Sequence, residues 1–260
     1  MKITIVQPDI EWENKKGNFA RIERLLSDIR TGTDLVILPE MFNTGFSMNP
    51  EKLSEPPDAE TYEWLRNISL DGNFGVCASY IVRDDNMFFN RWILVTPEGE
   101  SWSYNKRHLF RMTNEEQAFT AGKTRQTFTF RDVRICPNIC YDLRFPVWSR
   151  NRNDYDLLIN VANWPAARHD VWLTLLKARA IENQCFVAAS NRVGTDGAGI
   201  NYSGDSMIID PKGVVIASAE DRECSITAEI SMKELSEFRN KFPVLEDADD
   251  FTLNLEPFIS

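Results

Sequence analysis

Asn138-Ile139-Cys140-Tyr141-Asp142-Leu143-Arg144-Phe145 changes character at its third residue. The chain before it, Thr127 to Ile135, reads as an apolar strand, and the chain after it, Phe145 to Asn151, predicts a helix. Cys140 therefore stands at a strand-to-helix joint, where backbone N–H groups and a helix dipole are expected to lower a thiol pKa and hold a developing oxyanion. A cysteine following an apolar strand is ordinarily a small buried hydrophobe. Cys140 needs partners before it can be read as a nucleophile.

Two other segments are built the same way. Leu35-Val36-Ile37-Leu38-Pro39-Glu40 is an apolar run, closed by proline, that delivers a glutamate. Tyr104-Asn105-Lys106-Arg107-His108-Leu109-Phe110 places a lysine among aromatic and apolar neighbours. A buried ammonium and a buried carboxylate are each costly alone, and each offsets the other if they meet. Taken singly, either residue is more often a solvated surface charge. The chain has only two histidines, His108 and His169, so few bases exist for a Cys–His pair. His108 is read as structural, with a second positive group beside Lys106 as the alternative.

Outward from these segments, strand and helix periodicities alternate. Ile3 and Ile5 mark a first strand, and Phe19, Ile22, Leu25, Leu26 and Ile29 one helix face. A polar stretch from Asn49 to Asp58 leads to a helix around Thr61 to Ser69 and a strand over Gly75 to Val82. Pro97-Glu98-Gly99 joins Trp92–Thr96 to Ser101–Tyr104 as a hairpin. Further strands are predicted at Asp156–Val161, Cys185–Ser190, Ser206–Ile209, Val214–Ala217 and Ser225–Glu229, with helices at Val171–Asn183 and Met232–Phe242. Pro137 removes a ladder donor, so its strand is expected to be irregular or at an edge there. The interleaving argues for a layered α/β fold with mixed sheets. No repeat or long linker divides the chain, so one domain is expected over 1–260, with a packed or partner-contacting arm at about 243–260.

Twenty-nine basic against thirty-nine acidic residues give a net charge of −10, which disfavours nucleic acid or an anionic membrane surface as partner. The opening Met1–Pro8 has no apolar leader pattern, and no apolar run reaches the length of a membrane span. Five cysteines without a C-x-x-C pair fit a reducing cytoplasm. No cluster has zinc-site spacing, so neither metal nor cofactor is implied. Ala121-Gly122-Lys123-Thr124 resembles the end of a phosphate loop but lacks the glycine required where Gln117 stands. Gly194, Gly197 and Gly199 read as a flexible turn that could border a pocket, since the strand–helix context of a dinucleotide site is missing.

Leu38-Pro39-Glu40, Tyr104 to Phe110 and Cys140 to Pro146, in that order, resemble the nitrilase superfamily of carbon–nitrogen hydrolases, from Lys2 to about Phe242. The resemblance implies an α/β, four-layer α-β-β-α sandwich with two mixed sheets, pairing through outer helices into a homodimer or higher homo-oligomer. It also implies Glu40 as general base, Lys106 as oxyanion-side cation, Cys140 as nucleophile and the Tyr141 N–H as second oxyanion donor. An auxiliary glutamate is expected at Glu115, with Glu116 as competitor. Glu40 to Phe46 and Ala162 to Arg168 resemble the omega-amidase branch, which releases ammonia from the terminal amide of short 2-oxo dicarboxylic acid monoamides such as 2-oxoglutaramate and 2-oxosuccinamate. Such a substrate carries a carboxylate, for which Arg168 is the candidate clamp and a surface-loop arginine the alternative. Phe42 and Trp164 are candidate apolar walls, or ordinary core. Rival expectations are another amidase, an N-carbamoyl hydrolase or a nitrilase, a papain-like thiol enzyme using a histidine, and a catalytically silent binding or scaffold module.

Overall fold

A computed structural model describes residues 1–27 and 32–253. Ile29 and the last seven residues of the expected arm lie outside the described residues. In chain order the elements are β1 (Lys2–Gln7), α1 (Lys15–Ser27), β2 (Leu35–Ile37), α2 (Pro50–Leu53), α3 (Glu60–Gly72), β3 (Gly75–Asp84), β4 (Met87–Val95), β5 (Ser101–Asn105) and α4 (Glu115–Ala118). There follow β6 (Phe128–Phe130), β7 (Val133–Ile139), α5 (Pro146–Ser149), β8 (Leu157–Val161), α6 (His169–Asn183), β9 (Phe186–Ser190), β10 (Val193–Thr195) and β11 (Asn201–Ser203). The last are β12 (Met207–Ile209), β13 (Val215–Ser218), β14 (Cys224–Glu229) and α7 (Met232–Lys241).

Two six-stranded sheets run β14-β1-β2-β3-β4-β5 and β13-β12-β9-β8-β7-β6. Each is mixed: β1, β2 and β3 are parallel in the first, β7, β8 and β9 in the second, and hairpins or antiparallel edges flank them. Side-chain alternation builds the layers. Ile3, Ile5, Leu35 and Ile37 face the second sheet and share a core with Ile135, Leu157 and Ile159. Val6, Val36 and Leu38 point the other way, under Phe19 and Ile22 of α1 and Leu65 of α3. Trp172, Leu176 and Ala180 of α6 cover the far side of the second sheet. The result is the four-layer α-β-β-α sandwich.

The chain departs from the sequence expectations at both ends of β7. Thr127 to Ile135 is a hairpin rather than one strand: Phe130 pairs with Val133 across Arg131 and Asp132, both with positive φ (47° and 63°). Two successive residues in that region make a primed turn, which Arg-Asp advertises far less than Asn-Gly. The helix expected over Phe145 to Asn151 is a 3-10 turn over Cys140–Arg144 followed by the single α-turn of α5. Phe145 separates them with φ −114° and ψ 84°, since a residue before proline is pushed out of the helical region.

Pro137 sits in a regular part of β7, paired with Ile159. Asp156 N donates to Arg134 O, so residues of even number turn their polar groups toward β8, and Pro137 turns its nitrogen toward β6. β6 reaches only as far as Ile135, so β7 is locally an edge where the donor is missing. Ile139, facing the same side, gives its N–H to Asp142 Oδ2 at 3.0 Å instead of to a strand.

Candidate active site

Glu40, Lys106, Cys140 and Asn163 come from the carboxyl ends of β2, β5, β7 and β8, where the two sheets meet. Open α/β sheets place their ligand crevices at this end of the strands. Cys140 has φ 45°, a left-handed conformation uncommon for a residue with a side chain. Its N–H is held at 3.1 Å by Asn160 Oδ1, and its Sγ lies 3.8 Å from Asn163 O. The turn after it is fastened by Asp142, which is fully buried and accepts from Ile139 N, Tyr104 OH, His108 N and His108 Nδ1, all within 3.0 Å. Asp142 thereby ties the cysteine turn to the lysine loop. Arg179 of α6 adds a second anchor through Leu143 O at 2.5 Å.

Glu40, Lys106 and Glu115 form one buried cluster. Lys106 Nζ stands 2.9 Å from Glu40 Oε1 and 2.9 Å from each oxygen of Glu115. None of the three is more than 1% exposed. Glu116, the competitor for the auxiliary position, is exposed. Burial opposes the Lys106 charge, yet Glu115 and Glu40 outweigh it and raise the ammonium pKa above its ordinary value. Burial likewise raises the Glu115 pKa, against the pull of Lys106. The loop from Arg107 to Ala121 leaves and returns at Lys106, whose carbonyl accepts from Gly122 N at 2.8 Å. A Cβ on Gly122 would lie 2.0 Å from Asn105 O, so only glycine allows that return.

The expected lowering of the thiol pKa is overturned. Burial, and next the negative charge of Glu40, push the Cys140 thiol well above its ordinary value, and Lys106 recovers only part of this. A resting thiol of this kind needs a base at the moment of reaction. Neither histidine is that base. His108 is bonded to Asp142 and stacks on Phe145 at 3.7 Å, while His169 is bonded to Asp205. The papain-like arrangement is therefore absent.

A narrow cavity of about 40 Å³ opens onto Cys140 and Lys106. Trp164 and Arg168 line it, as do Tyr141, Phe46, Phe110 and Arg144. Phe42 does not. It is wholly buried in the outer core, 5.6 Å from the Trp64 ring and 6.0 Å from Phe19. The residue after Glu40, Met41, takes φ 43° and turns the chain so that Phe46, four positions past Phe42, becomes the wall. The glycine-rich segment 194–199 belongs to the β10–β11 hairpin, which contributes Ile200 and Tyr202 to the cavity. Sequence reasoning missed Asn90, Asn160, Asn163 and Asp142, since a buried amide or carboxylate that serves another side chain has no spacing signature of its own.

Comparison with known proteins places the chain in a family. The carbon-nitrogen hydrolase family model matches residues 2–240. The chain is 46% identical to the omega-amidase YafV of Escherichia coli over 254 residues, 97% of this chain and 98% of that one. It is 34% identical to a 2-oxoglutaramate amidase of Bacillus subtilis, covering 94% of this chain and 96% of the relative. Among solved structures it resembles XC1258 from Xanthomonas campestris, a CN-hydrolase superfamily protein with an arsenic adduct in its active site, at TM-score 0.95 and 42% identity, covering 98% and 99% of the two chains. The chain belongs to the carbon-nitrogen hydrolase family.

Proposed function

We propose that this chain is an omega-amidase that releases ammonia from the terminal amide of short 2-oxo dicarboxylic acid monoamides, 2-oxoglutaramate and 2-oxosuccinamate among them. The observation that carries the reading is that Lys106, held by the buried Glu40 and Glu115, lines the same cavity as Cys140. Glu40 accepts the thiol proton as Sγ attacks the amide carbon. Lys106 and the Tyr141 N–H hold the oxyanion. Glu40 then passes its proton to the amide nitrogen, the C–N bond breaks, and ammonia leaves a thioester on Cys140. Glu40 next takes a proton from water as its oxygen attacks the thioester, and the departing sulfur recovers that proton as the acid is released. One amide and one water thus give one acid and one ammonia. Glu115 holds Lys106 through both its carboxylate oxygens. Trp164 and Phe46 wall the cavity, and Arg168 takes the substrate carboxylate.

Cys140→Ala is expected to abolish ammonia release from 2-oxoglutaramate. A few per cent of wild-type turnover in the pure variant would sink the nucleophile assignment. The fold also supports a homodimer: Ile181 of α6, Val214, Ile216 and Phe242 are large apolar residues between 40% and 58% exposed. A monomer at micromolar concentration in light scattering would overturn that part. Five free cysteines suit a reducing cytoplasm. Among the described residues no helix is long and apolar enough to cross a membrane.

A further inference from the structure

Asn90 of β4 lies beneath the cluster, wholly buried, and the mechanism above does not use it. Its Nδ2 donates to Glu40 Oε1 at 2.7 Å and to Glu115 Oε1 at 3.4 Å, while its Oδ1 has no partner among the described residues. The reverse orientation of the amide would set its oxygen against two carboxylate oxygens, so the carboxylates fix which way it points. The backbone of Asn90 joins the same arrangement, since its carbonyl accepts from Lys106 N at 2.9 Å. One residue therefore holds the main chain of the lysine and the side chains of both its partners.

The donors are distributed unevenly. An ionised carboxylate offers about two acceptor directions on each oxygen. Glu40 Oε1 takes Lys106 Nζ and Asn90 Nδ2, and Glu115 Oε1 takes the same two. Glu115 Oε2 takes Lys106 Nζ and the Phe110 N–H. Glu40 Oε2 takes a single donor among the described residues, the Asn163 N–H at 2.9 Å. The same Asn163 has its carbonyl 3.8 Å from Cys140 Sγ, so the oxygen with an open acceptor direction is bonded to the residue that also contacts the thiol.

Resting on the reading of Glu40 as general base, we propose that Asn90 is a positioning residue that commits Oε1 of both glutamates to Lys106 and leaves Glu40 Oε2 as the proton-accepting atom. The titratable groups facing the pair are Lys106, from the end of β5, and Cys140, from the turn after β7. Asn90 adds a donor that favours the ionised carboxylates. Without it they hold protons more tightly, Oε1 becomes a competing proton site, and the base is ionised only at higher pH.

The test is the pH–rate profile of Asn90→Leu, a variant of similar volume without the N–H, alongside Glu40→Gln. The expected result is a loss in kcat of about tenfold to a hundredfold with KM within threefold, and an acid limb moved up by about one pH unit, the scale of one hydrogen bond to a charged group. Rates are normalised to reactive thiol by iodoacetamide titration. Asn90→Ser, which keeps one donor on a shorter stem, is expected to fall between the two and serves if the leucine variant does not fold. A profile that overlays wild type, or a loss of folded protein alone, overturns the proposal for Asn90. Activity surviving in Glu40→Gln overturns instead the reading of Glu40 on which it rests.

Discussion

The floor of the cavity and its mouth are built on opposite rules. On the floor, Lys106 reaches three carboxylate oxygens, and Glu40 and Glu115 are bonded through all four of theirs. At the mouth, Arg144 and Arg168 have no carboxylate partner among the described residues. Their guanidinium groups lie over aromatic rings instead, Arg144 over Trp164 at 5.3 Å and Arg168 over Phe110 at 5.2 Å. On the floor the resting charges are paired with one another, whereas the solvent-accessible cations of the mouth, lying over aromatic faces, are open to a substrate carboxylate. The contrast supports the proposed division, with proton handling on the floor and substrate choice at the mouth.

Removing the cation from the floor is the severest way to break that contrast. Lys106→Met is expected to lower kcat on the order of a thousandfold, because one oxyanion donor is worth roughly a hundred- to a thousandfold. It also leaves two buried carboxylates without their counter-charge, a defect that costs about 3–5 kcal/mol. For a chain of this size that corresponds to a drop in Tm on the order of 10 °C. The pH dependence gives the sign. A carboxyl whose folded pKa lies above its unfolded value contributes stability at low pH and loses it as pH rises through the folded pKa. Glu115 already has a raised pKa with Lys106 present. Without the lysine its pKa rises further, so the deficit of the variant against wild type should shrink as the pH falls from 8 toward 5. A deficit constant with pH would show that the floor is not held by charge.

The two regions also differed in how much of them could be read from the sequence. Leu35 to Glu40 and Asn138 to Phe145 carry a strand, its end and a polar group within one short window, so the layers and the strand-end positions of Glu40 and Cys140 were legible there. Glu115 against Glu116 was decided by register in the loop closed at Gly122. The cavity wall, the β6–β7 turn and the supporting amides depend on features that no window contains. Phe42 was misplaced because the left-handed Met41 reverses which face follows a buried strand. The Arg131-Asp132 turn was hidden because neither residue advertises positive φ as glycine does. Asn90, Asn160 and Asn163 look like any strand or loop asparagine until another element brings a carboxylate or a backbone N–H against them.

Arg168 offers the finest test of the division. Its side chain makes no hydrogen bond among the described residues, while its carbonyl accepts from Trp164 Nε1 at 2.9 Å, a contact that survives truncation of the side chain. Arg168→Ala should therefore leave the Trp164 wall and the melting temperature in place. The expected loss falls on KM for 2-oxoglutaramate, by about tenfold to a hundredfold, the worth of one hydrogen bond to a charged group. Turnover of a neutral short amide, which has no carboxylate to hold, should change less than twofold. Arg168→Lys separates charge from shape, because an ammonium supplies the charge without the planar fork and should recover only part of the loss. If KM for the keto acid amide stays within twofold of wild type, the carboxylate is held elsewhere. Arg144, which shares the mouth and is equally without a carboxylate partner among the described residues, then becomes the group to truncate.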